Sequence, residues 1–156
     1  MLQAQPLVSN SAEKADTPLM FWVETWMYKT NVHLQEQCPT ALERLRYPNR
    51  RFIYVLLEPH ADIVRYVGCT KRPWVRWKGM LSELHGCIGP GRPVINWIRR
   101  RLAYNMVPRM RVVITSPSVP EAKLEESTWI REYSTFNVQH NLPELLNCHP
   151  HSTGIR

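Results

Sequence analysis

Hydrophobic and polar positions change rhythm twice along this chain. Positions 1–17 are polar and mixed, without a hydrophobic period, and predict a disordered tail. Thr17-Pro18 has the form of an N-cap followed by proline in a first helical turn. The stretch 19–34, rich in Trp, Phe and Met, then predicts one amphipathic helix, with Trp22 and Trp26 on a core-facing stripe. Cys38-Pro39-Thr40 breaks that helix, and 41–47 predicts a further turn or two. At Arg51 the pattern becomes β-branched and aromatic: 51–57 and 63–69 read as two strands, joined by the turn-forming Glu58-Pro59-His60-Ala61-Asp62. Helical spacing returns at 74–85, after Pro73, and again at 92–104, across a glycine-rich break at 86–91. A third strand at 110–115 precedes Ser118, which caps a last helix over 119–133, and the chain from Asn137 onward reads as irregular with an apolar patch at 142–146. The order β-β-α-α-β-α predicts an α+β domain, a small three-stranded antiparallel sheet flanked by helices. The expected organisation is a disordered tail (1–17), a helical N-terminal extension (18–50), the main domain (51–138) and an irregular C-terminal tail (139–156).

Composition narrows the class. At 156 residues and 44% hydrophobic, the chain can build one domain with a core. No apolar run approaches the ~18 residues of a membrane span, and 1–17 lacks the basic start and apolar stretch of a secretory signal. The cysteines Cys38, Cys69, Cys87 and Cys148 stand far apart with no CxxC pair, which excludes a disulfide framework and suits a reducing, cytoplasmic setting. The net charge of +7 is unevenly placed: residues 1–50 are neutral, and 51–156 carry all of it. Between Arg65 and Arg111 eleven basic residues face one acidic residue, Glu83. Such a segment attracts polyanions through charge neutralisation and counterion release, and Lys71, Arg72, Lys78, Arg92, Arg99, Arg100 and Arg101 are the expected nucleic-acid-binding residues.

Several chemistries find no support. The 86–91 loop lacks the Lys-Ser/Thr of a phosphate loop and follows no strand. Cys148, His149 and His151 have no second ligand pair at zinc spacing, and there is no Gly-x-Ser-x-Gly. A better constellation joins Tyr54 and Tyr66, on neighbouring strands of the hairpin, to Arg76 in the following helix and Glu126 in the last one. On the last helix the apolar stripe is expected at Leu124, Ser127 and Trp129–Ile130, with Glu126 off it.

In order and spacing these residues resemble the GIY-YIG nuclease superfamily, in particular its homing-endonuclease-like catalytic domain. Phe52-Ile53-Tyr54 stands for the first motif, with Phe52 in place of glycine, and Tyr66-Val67-Gly68 for the second. The run from Gly68 to Arg76 and Trp77 is similar to the family's path into its first helix. Glu121-Ala122 and Glu126 resemble the glutamate helix, and Phe136-Asn137 the closing aromatic–asparagine. The likeness covers 52–137.

The resemblance implies a metal-dependent DNA endonuclease. Tyr54 would activate the attacking water with Tyr66 beside it, Arg76 would hold the scissile phosphate, and Asn137 would support the site through hydrogen bonds. Arg92 falls where members often carry a basic or histidine residue. Glu126 would be the single protein ligand of Mg²⁺, or alternatively Mn²⁺, a hard cation that keeps most of its waters. A planar guanidinium suits the phosphate. A phenol helps only if neighbouring cations such as Lys71 lower its pKa, in which case cleavage rises with pH through the neutral-to-alkaline range. Specificity would then come from the basic face, the N-terminal extension, a homodimer or a DNA-targeting partner protein. The alternative is a non-catalytic nucleic-acid-binding protein on the same fold, and a third is a basic scaffold using the Trp-rich N-terminal helix as its contact surface.

Overall fold

The computed structural model describes residues 29–36, 39–86 and 92–147. The expected 1–17 tail and most of the 19–34 helix, with Trp22 and Trp26, lie outside them. Among the described residues the elements are α1 (His33–Glu36), α2 (Ala41–Arg46), β1 (Arg51–Leu57), β2 (Val64–Thr70), α3 (Pro73–Gly86), α4 (Pro93–Ala103), β3 (Arg109–Ser116) and α5 (Val119–Gln139). The strands form one antiparallel sheet in the order β2-β1-β3, so the expected α+β class with a small three-stranded antiparallel sheet holds.

β1 runs through the centre, and alternation of its side chains makes two cores. Tyr54 and Leu56 pack with Trp77, Met80 and Leu81 of α3, Val94, Ile95, Trp97 and Ile98 of α4, and Met110. Ile53, Val55 and Leu57 pack on the other face with Ala122, Trp129, Ile130 and Tyr133 of α5. The result is three layers, with α3 and α4 on one side of the sheet and α5 on the other.

Two irregularities decide which side chains share a face. Leu56 pairs with Tyr66 and Leu57 with Val64, so Arg65 is an extra residue in β2. This bulge turns Arg65 and Tyr66 to the same side: Arg65 lies over the Trp97 ring, and Tyr66 packs against the α3/α4 core. In β3, Ile114 pairs with Ile53 and Val112 with Tyr54, which leaves Val113 as the second bulge.

Both outer strands are closed by side chains from the flanks. The Asn31 carboxamide accepts from the Met110 N–H (2.7 Å) and donates to the Pro108 carbonyl (3.1 Å), while His33 Nε2 bonds the Met110 carbonyl (2.8 Å). On β2, Asn147 accepts from the Val67 N–H (2.9 Å) and donates to its carbonyl (2.6 Å). Free strand edges invite pairing with other chains, and these amides occupy the groups that would do so. The 140–147 segment is irregular as expected, Gln139 still belonging to α5, and this segment joins the core, with Leu145 buried against β1 and β2 residues.

α5 extends six residues beyond the expected end at 133, so Asn137 is helical. Asn141, at φ 57°, ends it: the Leu142 N–H bonds Asn137 O (2.7 Å) and the Asn141 N–H bonds Val138 O (3.2 Å), a Schellman closure with asparagine in the left-handed position. α4 closes the same way on Asn105, with Met106 N bonded to Arg101 O and Asn105 N to Leu102 O. The apolar stripe of α5 also differs from expectation. Leu124 is 70% exposed, and the buried line is Ala122, Trp129, Ile130 and Tyr133. Glu126, four residues after Ala122, lies on that line.

Candidate active site

Tyr54 sits on the central strand with 1% of its surface exposed. Its register partner on β2 is Gly68, and a side-chain carbon at Gly68 would collide with the Tyr54 ring and hydroxyl. The missing side chain is what lets the phenol lie across β2. Tyr66, diagonal to it, brings its ring centroid to 6.3 Å at a 36° tilt. The chain then turns into α3: Thr70 Oγ1 accepts from the Arg72 N–H (3.2 Å), and the Arg72 carbonyl accepts the first helical bond from Arg76 N (2.9 Å). One turn later Arg76 points back at the sheet and donates from Nε to the Tyr54 hydroxyl at 3.2 Å. Its two Nη groups bond no other described residue, so four N–H donors stay available beside the phenols.

Arg92 completes this cluster. It precedes α4 and grips Glu83 of α3 through two bonds, Nη2–Oε1 at 2.6 Å and Nε–Oε2 at 3.2 Å. Its charge reaches Tyr54, Tyr66 and Arg76. Burial pushes the Tyr54 phenol far above its ordinary range, and Tyr66 adds to this; the attraction of Arg76 and Arg92 offsets only part of it. The expectation that nearby cations bring this pKa down is therefore corrected. The hydroxyl keeps its proton and, while accepting from Arg76, can donate to a phosphoryl oxygen or to water.

Glu126 is not part of this cluster. It is partly buried on the sheet-facing line of α5, the layer opposite α3 and α4, with Cys69 within reach of its charge. Burial raises its pKa and Lys123 partly opposes the rise. No ion pair or hydrogen bond engages it among the described residues. The same surroundings, burial first and Glu126 second, push the Cys69 thiol up, so Cys69 is not an activated nucleophile. Cys69 directly follows Gly68, so carboxylate and phenols lie at one level of the sheet on opposite faces, separated by the outer strand β2. No group of three or more His, Cys, Asp or Glu side chains suited to a metal occurs among the described residues. One unpartnered carboxylate does fit a hard cation held by a single protein ligand and water.

Asn137 is 1% exposed and donates through Nδ2 to Val64 O (3.0 Å) and Pro143 O (2.9 Å). It ties α5 and the tail to the start of β2, four residues from Gly68, and does not approach the phenols directly. Phe136 beside it stacks on His140, with centroids 4.0 Å apart.

The basic residues separate into two groups. Arg101 is bound by Glu58 through Nε–Oε1 (2.8 Å) and Nη2–Oε2 (3.0 Å), and Arg65 binds the same carboxylate at 2.7 Å. Arg109 donates to the Glu58 carbonyl and to Asp62 (3.0 Å). Arg99 donates to Asn96 (3.2 Å) and to Leu84 O (3.4 Å). Lys71, Arg72, Lys78 and Arg100 are exposed, with no side-chain ion pair among the described residues. Lys78 lies two positions from Arg76 on the outer side of α3 with Val75 and Ser82. Glu83, which holds Arg92, and Glu58, which gathers Arg65 and Arg101, are the charged groups around the cluster that the sequence pattern does not single out as site residues. Only Glu83 left a signal, as the one acid within a basic run.

Comparison with protein-family models, with curated proteins and with solved structures finds no match.

Proposed function

We propose that the protein is a metal-dependent DNA endonuclease with a GIY-YIG-type site, acting inside the cell on DNA. One observation carries the reading: Tyr54, Tyr66 and Arg76, named from their order and spacing, meet on the α3/α4 face of the sheet with an Arg76–Tyr54 bond of 3.2 Å. Phosphodiester hydrolysis needs charge stabilisation on the phosphoryl oxygens, and preorganised donors in a partly dry site supply it. Arg76 presents its free Nη groups to those oxygens, with its orientation held by the Tyr54 hydroxyl. Tyr54 donates its own proton as a hydrogen bond, and the partly exposed Tyr66 lines the water side of the site. Arg92 adds positive field and is kept in place by Glu83. Mg²⁺, which Glu126 would hold, supplies Lewis-acid neutralisation of the phosphate when bound.

The decisive experiment incubates the protein with supercoiled plasmid and with branched DNA, in Mg²⁺ or in EDTA. Nicking in Mg²⁺, lost in EDTA and in Arg76→Gln, supports the reading. The placement of Glu126 on the far face favours one second reading, a nucleic-acid-binding protein without cleavage, and DNA binding with no nicking in either buffer establishes that instead.

A further inference from the structure

A cavity of about 290 Å³ opens where α2 and the segment after it meet the ends of β1 and β2. Its walls carry Arg44 and Arg50 from the N-terminal extension and Lys71 and Arg72 from the β2–α3 turn, together with the exposed Tyr47 and the buried Phe52. Glu43 is the one carboxylate in the wall, and it pairs with Arg50 at 3.7 Å. Arg44 is aimed by the Pro39 carbonyl, which accepts from its Nη1 at 2.8 Å, and the Arg50 guanidinium lies 4.1 Å from the centre of the Tyr47 ring. Four cations around one carboxylate repel each other unless an anion joins them. The cavity is at the lower end of ligand-pocket sizes, roughly 300 Å³, which suits one nucleotide. Aromatic and guanidinium planes beside cations are what an unstacked base and its phosphate require. Phe52 precedes Tyr54 by two residues on the same face of β1, about 7 Å away at the usual strand rise.

We propose that this cavity holds one unpaired nucleotide of a nucleic-acid strand beside the cleavage site, so that the N-terminal extension forms half of the substrate-binding surface. The proposal deepens the nuclease reading and rests on it for the identity of the strand. The shared ligand chemistry is a nucleoside phosphate, which a free mononucleotide could also supply.

The test measures binding in EDTA by fluorescence anisotropy, with a labelled single-stranded oligonucleotide, a duplex of equal length, and AMP as competitor. Arg44→Gln/Arg50→Gln and, from the opposite wall, Lys71→Gln/Arg72→Gln are each expected to weaken single-strand binding at least about tenfold. Each should also flatten the salt slope by roughly 0.7 per lost phosphate contact. Arg131→Gln, an exposed charge on α5, should leave both unchanged. Equal affinity and slope in the folded pocket variants and Arg131→Gln overturn the proposal. So does duplex binding as tight as single-strand binding, or AMP binding as tightly as the strand. Altered slopes without plasmid nicking would remove the nuclease reading and keep the pocket; nicking with unaltered slopes would do the reverse.

Discussion

The Tyr54 phenol occupies the space that a side chain on Gly68 would fill. The second motif therefore ends in glycine for a steric reason, and Gly68→Ala has to push the phenol off Arg76. We expect a loss of about 1–3 kcal/mol in stability from overpacking and at least a tenfold loss of nicking. Gly79 on α3 is a built-in control because a methyl group there meets open space. Gly79→Ala should gain about 0.5–1 kcal/mol and keep full activity. Urea denaturation and single-turnover nicking of both variants check this.

Tyr54→Phe keeps the ring and removes the bond to Arg76. Stability at neutral pH should change by about 1 kcal/mol, and turnover should fall by roughly 10²-fold. Because the native phenol holds its proton more tightly than the unfolded one, the native state binds the extra proton above pH ~10. Wild-type stability should consequently fall with rising pH there, by up to about 1.4 kcal/mol per pH unit more steeply than in Tyr54→Phe. A rising limb of cleavage between pH 7 and 9 that vanishes in Tyr54→Phe would show the phenol ionising in that range and contradict its buried, protonated state.

Glu126→Gln should separate stability from function. The native carboxyl is more basic than the unfolded one, so its contribution is present below the ordinary carboxylate pKa and lost as pH rises through the native value. The glutamine variant is expected to melt higher than wild type at pH 7, with the difference shrinking to nothing in acid, and to have no cleavage activity. Added Mg²⁺ should raise the wild-type melting temperature at pH 7 and leave the variant unmoved. Equal cutting rates at equal Mg²⁺ would remove Glu126 from the site.

Glu58 has the opposite sign. Burial raises its pKa, but the bonds from Arg101 and Arg65 outweigh this and hold it below the usual range. Its stabilisation is present above the unfolded value and disappears as pH falls through the native one. Glu58→Gln leaves two guanidinium groups short of a carboxylate. It should cost about 2–3 kcal/mol at pH 7, less than the 3–5 of a fully buried pair, because Arg101 is 28% exposed. Once pH has fallen below the native value, variant and wild type should unfold at the same urea concentration.

Within the run Arg99-Arg100-Arg101, only Arg100 is exposed without a described side-chain partner. Arg100→Gln should flatten the slope of log K against log salt on duplex DNA by roughly 0.9, and Arg99→Gln and Arg101→Gln should not. Three equal slopes would contradict this division.

What the sequence made legible was local. The 51–69 hairpin, the proline-started α3 and α4 and the Ser118 cap carry their signals within a few residues, and the structure has them where they were expected. The stripe of α5 departs from the pattern because Leu124 is apolar yet exposed, while Ala122 and Glu126 face the sheet. Its end lies later than the pattern predicts because Asn141, in the left-handed conformation, closes the helix only after the polar run 134–140. The electropositive surface was overcounted for another reason. Glu58 and Asp62 lie outside 65–111 in the chain but fold back onto Arg65, Arg101 and Arg109. The Tyr54–Tyr66–Arg76 grouping was readable because a hairpin and the helix after it keep spacing and space in step. The side of the sheet on which α5 places Glu126 is set by a crossover that no spacing encodes.

Asn31 and Asn147 determine how a second copy of this chain could dock. Sheets commonly join across a twofold axis by laying two outer strands side by side. Here that route is closed at Met110 and at Val67 unless an asparagine is first withdrawn. Pairing through Met110 or Val67 would first have to displace these asparagines, which favours helix surfaces or loops for contact between copies of the described fold. A shortened chain spanning only 51–138 would lack both plugs, and the outer edge of its eight-residue β3 would be open at Met110 to strand exchange with its neighbours.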